Sequence, residues 1–230
     1  MENKPTVGLV LQARTDSSRL QNKILMQCGD RTILEQIWKS FGGVPEADHK
    51  ILVTTSRPVD NQLADKAKDL GFEVFRGDAL NVFSRFQKVC EIYSIDIILR
   101  FTGDNPLIDV STVKESINYF ATFYEKSRPI FLSTRNTFMP MGMDIEIFSK
   151  EVMSLYNKNL TAYDQEHVTP WMYSDVRVSK LDFMPSLLRA DCSVTVDTTE
   201  QLFVANRIFE WLDNRTPSHE LVKYFFETQY

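Results

Sequence analysis

Three cations, Arg14, Arg19 and Lys23, punctuate the polar run inside "LVLQARTDSSRLQNKIL", directly after the first apolar segment of the chain. The net charge is −5, so cations gathered on one loop call for an anion. Arg14 and Lys23 can neutralise phosphate oxygens, and the amides around Ser17 and Ser18 can donate to the same group. The stretch is not a P-loop, because G-x-x-x-x-G-K-[ST] is absent. Its plain alternative is a solvated basic loop. Further along, Asp104 in "FTGDNPLID" and Asp197 in "VTVDTTEQL" each follow a strand-like run. Hard divalent cations take carboxylate oxygens, and Mg²⁺ needs only one or two from the protein when phosphates and water complete its shell. Such a pair could hold Mg²⁺ against a triphosphate. Singly, Asp104 also reads as a turn residue and Asp197 as a helix N-cap.

These residues need elements to position them. Short β-branched or aromatic runs, "TVGLVLQ", "KILVTT", "FEVFRG" and "IDIILRF", alternate with the amphipathic stretches "TILEQIWKSF", "VDNQLADKAKDLG" and "ALNVFSRFQKVCEIY". Pro58 stands where a helix begins, Gly71 just past its end, and Asp109 where "VSTVKESINYFATFY" needs an N-cap. The alternation predicts right-handed βαβ units: an α/β, three-layer fold with a mostly parallel sheet covered on both faces. "PIFLST" and "DIEIFS" read as strands around the loop "RNTFMPMGM", with Ser149 capping a short helix. "YDQEHVTPWMYSD" reads as a helix ending near Pro170, and "CSVTVD" as a last strand. Helices over "TTEQLFVANRIFEWLD" and from near Pro217 close the chain. This is one domain over 1–230, with residues 134–190 as an inserted α+β segment.

Ligands in such a sheet bind beyond the carboxyl ends of the strands. There stand the first loop, Thr54 to Ser56, Arg76 and Asp78, Gly103, Asp104 and Asp109, and Asp197. Cations, hydroxyls and carboxylates converge on one rim, as a polyphosphate with a divalent metal requires. The acidic balance argues against a nucleic-acid surface. No apolar run is long enough to span a membrane and no secretory leader is evident. The three widely spaced cysteines, Cys28, Cys90 and Cys192, show no metal-ligand spacing and suit a reducing compartment, so a cytoplasmic location is expected.

"QARTDSSRLQNKIL" resembles the amino-terminal signature of the CMP-sugar-acid synthetases, Q-A-R-x-x-S-x-R-L-P-G-K-x-L. "LRFTGDNPLID", "MGMDIEIFS", "QEHVTPWMY" and "VTVDTTEQL" resemble four further blocks of that family in the same order. The nearest branch is that of the spore-coat polysaccharide cytidylyltransferases; the CMP-Kdo and CMP-sialate synthetases are more distant. The resemblance implies a Rossmann-like nucleotidyltransferase that uses CTP and Mg²⁺ to activate a sugar acid for a cell-surface polysaccharide or lipopolysaccharide, as a homodimer. It implies Arg14 and Lys23 on the triphosphate and Asp104 and Asp197 on the metal as the catalytic set. Gln12, Ala13, Thr54, Arg76, Thr102 and Gly103 would complete the nucleotide site. Gly142, Asp144, Glu146, Glu166 and His167 would line the acceptor side. The chain departs from the pattern in having Gln21-Asn22 for Pro-Gly, Met141 before Gly142 and Gln165 before Glu166. Asn tolerates positive φ, so Asn22 can keep the turn.

Other readings stand beside this one. A degenerate module could bind nucleotide without turnover, and the acceptor could be a sugar phosphate or the base another than cytosine. A glycosyltransferase is weaker, for want of a D-x-D after an internal strand. His167 reads either as an acceptor contact or as a structural histidine beside Trp171. His49 and His219 fall on expected surface elements. Phe203, Phe209, Trp211, Phe225 and Phe226, at helical spacing, read as core or subunit interface.

Overall fold

The computed structural model describes residues 4–135, 139–155, 160–184 and 192–229. Its elements run β1 (Val7–Gln12), β2 (Gln27–Cys28), β3 (Arg31–Thr32), α1 (Ile33–Gly42), β4 (His49–Thr55), α2 (Asn61–Leu70), β5 (Glu73–Gly77), α3 (Val82–Ile92), β6 (Ile97–Thr102) and α4 (Val110–Phe123). Then follow β7 (Ile130–Ser133), β8 (Glu146–Ser149), α5 (Lys150–Ser154), α6 (Ala162–His167), β9 (Ser179–Leu181), α7 (Thr199–Leu212) and α8 (His219–Gln229). A seven-stranded sheet has the order β5-β4-β1-β6-β8-β7-β9. Only β8 runs antiparallel to its neighbours. The expected α/β fold with a mostly parallel sheet is present.

β1 is apolar on both sides because both are covered. Leu9 and Leu11 face Ile33, Ile37 and Phe41 of α1 and Ile117 and Phe120 of α4. Val10 faces the other way, with Ile51, Val53 and Ile98, against Phe83 and Phe86 of α3. Each such side chain contributes about 1.5–3 kcal/mol when fully buried. A third cluster joins α7 and α8 through Ile208, Leu212, Val222 and Phe225 to Leu107, Met139 and Met143.

Local signals position the helices. Thr32 and Glu35 form a capping box on α1, Asn81 caps α3, and Asp109 caps α4 through the Thr112 amide. Gly71, at φ 106°, ends α2 after the turn begun by Pro58.

Three expectations need correction. "CSVTVD" forms no strand: apart from an isolated bridge between Met141 and Ser193, its amides at Val194 and Val196 donate to Met141 and to Asp104, two loop carbonyls. β2, β3 and β9 lie outside the expected strands; with two or three residues each they are too short to show a period of two. Ser149 precedes α5 without capping it; its hydroxyl serves Arg128 and Ile130. His219 is not superficial: Nδ1 lies 2.6 Å from Oδ2 of Asp109, with a side chain only 11% exposed.

Candidate active site

The loop after β1 is held from several directions. The Thr15 amide donates to Oδ1 of Asp60 at 2.8 Å, and the Thr15 hydroxyl lies equally close. Asp60 is fully buried and also accepts from the Thr55 hydroxyl. Burial alone would raise its pKa; the Thr55 and Thr15 donors outweigh that and hold it below the ordinary carboxylate value. Asp16 pairs with Arg57 at 2.5 Å, and the Asn22 amide closes the loop on the Thr15 carbonyl at 2.7 Å. Asn22 itself sits at φ 56°, the left-handed conformation a Pro-Gly turn would otherwise provide.

This loop delivers Lys23 to two carboxylates. Its Nζ lies 2.7 Å from Oδ1 of Asp197 and 3.9 Å from Oδ2 of Asp104. Arg19 takes the other oxygen of Asp197 at 2.7 Å. Asp104 and Asp197 come together because the Val196 amide donates to the Asp104 carbonyl at 2.8 Å. Gly103 lets the end of β6 pack close on the first loop: a Cβ there would stand 2.9 Å from that of Ala13. Oδ1 of Asp104 is buried with no hydrogen-bond partner, which a hard divalent cation would satisfy. Among the described residues no three acidic, His or Cys groups form a metal set. The two carboxylates fit a cation whose shell is completed by substrate oxygens and water, as Mg²⁺ on a polyphosphate is.

A second network lies under β6. Arg100 donates to Gln12 at 3.0 Å and pairs with Glu146 at 2.6 Å. Glu146, 4% exposed, also accepts from Thr169 and Tyr173. Arg100, Thr102, Asn105, Gly142, Asp144 and Glu146 line a cavity of about 30 Å³, room for roughly one water. Burial raises the Asp144 pKa, although its carboxylate accepts from the Gly142 amide. Gly142 is at φ 95°, and a Cβ would stand 2.9 Å from the Thr195 amide nitrogen.

Arg14 reaches Glu166 at 3.4 Å, joining the first loop to α6. His167 is exposed and stacks on Tyr163 at 4.3 Å, while Trp171 packs on Phe83 instead. Thr54 is fully buried, its hydroxyl unpartnered. Arg76 is spent on the Thr55 and Arg57 carbonyls and on Asn61. Two rim carboxylates serve structure: Asp78 caps Leu80 and Asn81, and Asp109 is the α4 cap. Asp60, Arg85 and Arg100 escaped the sequence reading. A charged residue on an apolar helix face (Arg85 beside Phe86) or inside an apolar strand (Arg100) was the signal available for two of them.

A family model described as Cytidylyltransferase matches residues 9–208. The chain is 34% identical over 193 residues to an uncharacterised protein of Methanocaldococcus jannaschii, spanning 82% of this chain and 77% of that one. It is 28% identical over 200 residues to the spore coat polysaccharide biosynthesis protein SpsF of Bacillus subtilis, covering 83% and 81%. A 3-deoxy-manno-octulosonate cytidylyltransferase of Solibacter usitatus is 28% identical over 110 residues, 47% of this chain and 42% of that one. A solved cytidylyltransferase from Leptospira borgpetersenii superposes with a TM-score of 0.86 at 26% identity, covering 98% of this chain and 95% of that one.

Proposed function

The chain belongs to the cytidylyltransferase family and is a nucleotidyltransferase, and on that premise we propose that it transfers CMP from CTP to a sugar acid, nonulosonate- or Kdo-like, releasing pyrophosphate. The observation that carries this reading is the meeting of Lys23 with Asp104 and Asp197 at the mouth of the sheet. The sugar-acid acceptor and a place in cell-surface polysaccharide synthesis are supported by the similarity to the SpsF protein and to the octulosonate cytidylyltransferase.

On this reading the acceptor hydroxyl attacks the α-phosphorus in line and gives up its proton to solvent water. The bond from that phosphorus to the oxygen bridging the β-phosphate breaks, and pyrophosphate carries the electron pair away. Asp104 and Asp197 would hold Mg²⁺, which when bound supplies Lewis-acid stabilisation of phosphate charge. Lys23 exchanges Asp197 for a phosphate oxygen when the triphosphate enters, and Arg14 joins it, exchanging its long contact to Glu166. Gln12, Ala13, Thr54, Thr102 and Gly103 frame the nucleotide, and Arg76 holds the β4 loop against it. Gly142, Asp144, Glu166 and His167 face the acceptor; Glu146, already bound by Arg100, Thr169 and Tyr173, shapes that side from beneath. Residues 134–190, of which 136–138, 156–159 and 185–190 lie outside the described residues, would serve the acceptor side and a homodimer. No helix among the described residues is long and apolar enough to cross a membrane, and the enzyme acts in the cytoplasm.

The test is pyrophosphate release from CTP, UTP, ATP and GTP, each with Mg²⁺ and a panel of sugar acids and sugar phosphates. Release with CTP and a sugar acid is expected. Release only with a sugar phosphate, or no release from CTP, would overturn the reading.

A further inference from the structure

The β4–β5 side of the site holds a cation that the chemistry above does not use. Arg85, on α3, is 3% exposed. One terminal nitrogen lies 3.4 Å from the Val53 carbonyl, and its Nε is buried with no hydrogen-bond partner. Asp60 and Asp78 act on it only as charges at a distance, opposed by Arg14 and Arg57. Burial lowers its pKa to about 10, so it stays protonated at neutral pH. A buried, half-satisfied guanidinium destabilises a fold rather than supporting it.

The fold nonetheless makes room for this side chain. A Cβ at Gly77 would stand 2.8 Å from Cγ of Arg85, so the stem passes where the end of β5 has no side chain. Its head lies at the root of the first loop, because the Val53 carbonyl also receives the Ala13 amide at 3.3 Å. β4 and β6 are separated in the sheet by β1 alone, which sets Arg85's anchor roughly 10 Å from the strand that presents Asp104. A nucleotide whose phosphates meet Asp104, Asp197 and Lys23 would have its base, not its phosphates, at that distance.

We propose that Arg85 determines base specificity by donating to the adjacent acceptors O2 and N3 of cytosine; this rests on the reading of the site as a CTP site. A guanidinium has donors and no acceptor, which matches that edge. Uracil places an N–H at position 3, so donor meets donor and UTP is disfavoured. Sites built around a buried hydrogen bond discriminate in this way because the wrong partner leaves groups unpaired.

The experiment compares kcat/KM for CTP and UTP, and melting without ligand, in the wild type, Arg85→Met and Gly77→Ala. The wild type should prefer CTP on the order of a hundredfold or more. Arg85→Met should bring that ratio to within about tenfold, mainly by losing CTP, and melt at or above the wild type because a buried unpaired charge has gone. Gly77→Ala, which displaces the Arg85 stem, should lower the ratio in the same direction. A wild type inert with CTP would sink the CTP reading itself. A wild type that selects CTP while Arg85→Met keeps the ratio would sink the role of Arg85 alone. Equal loss with both nucleotides, or an Arg85→Met chain that does not fold, would also overturn it.

Discussion

Lys23→Ala separates the two duties assigned to that side chain. In the ligand-free protein Lys23 is 12% exposed and holds Asp197 at 2.7 Å, with Asp104 at 3.9 Å. A hydrogen bond between charged groups contributes about 1.5–3 kcal/mol. Arg19 remains on Asp197, but it is 64% exposed and a surface pair offsets at most about 1 kcal/mol. For a chain of this length 1 kcal/mol moves Tm by about 2–4 °C. The variant should therefore melt about 3–12 °C lower in the absence of metal. Removing the ammonium also frees the carboxylate oxygens that a divalent cation would take. Mg²⁺ at ten times its Kd adds roughly 1.4 kcal/mol, so it should return part of the lost Tm in Lys23→Ala and shift the wild type less. Turnover should still fall about ten- to hundredfold, because the leaving pyrophosphate loses a cation as its charge grows. Scanning calorimetry across a Mg²⁺ series decides the matter. Equal losses of Tm with and without Mg²⁺ would refute the idea that Lys23 and the cation compete for one carboxylate pair.

Three further outcomes are expected. Glu146→Gln leaves Arg100 buried beside a neutral amide and should cost about 3–5 kcal/mol in urea unfolding, with the double variant Arg100→Met/Glu146→Met recovering most of it; a single variant within error of wild type would contradict the network. Asp60→Ala removes the acceptor for Thr15 and Thr55, which should cost about 1–3 kcal/mol and raise KM for CTP, whereas an unchanged KM would show that the loop keeps its shape untethered. The hydrogen bond to Asp109 raises the His219 pKa, so its stabilisation is full below the unfolded value of about 6.5 and is lost as pH rises through the folded value; wild-type Tm should decline over that range more steeply than that of His219→Gln, and parallel curves would refute the coupling.

Much of this architecture was legible in the sequence. The buried parallel strands announce themselves because both faces are apolar, and Asp109, Pro58 and Gly71 mark helix ends by local chemistry alone. The Asp104–Asp197 meeting followed from placing each residue beyond a strand, although the second strand proved to be an extended segment tied to loop carbonyls. Asp60 acts through Thr15, distant in sequence, and no local period reports such a pairing. Arg85 and Arg100 carried a local signal, a charge in an apolar setting, but their partners Val53, Gln12 and Glu146 are likewise distant. His219 was misjudged for the same reason, since its position beside Asp109 depends on how α8 docks. Arg76 marks the opposite case: its place on the rim was evident, but its engagement by the Thr55 and Arg57 carbonyls was not.

If Asp104 and Asp197 serve nucleotidyl transfer from CTP as a carboxylate pair, the reaction must depend on both. The direct measurement is transfer of label from α-³²P-CTP to a sugar-acid acceptor, followed across a Mg²⁺ series for the wild type, Asp104→Asn and Asp197→Asn. Each variant keeps its side-chain shape and loses one carboxylate charge. Both variants should fold, and their transfer should fall by on the order of a hundredfold or more at low Mg²⁺. Near-normal transfer by Asp104→Asn at low Mg²⁺ would contradict that dependence.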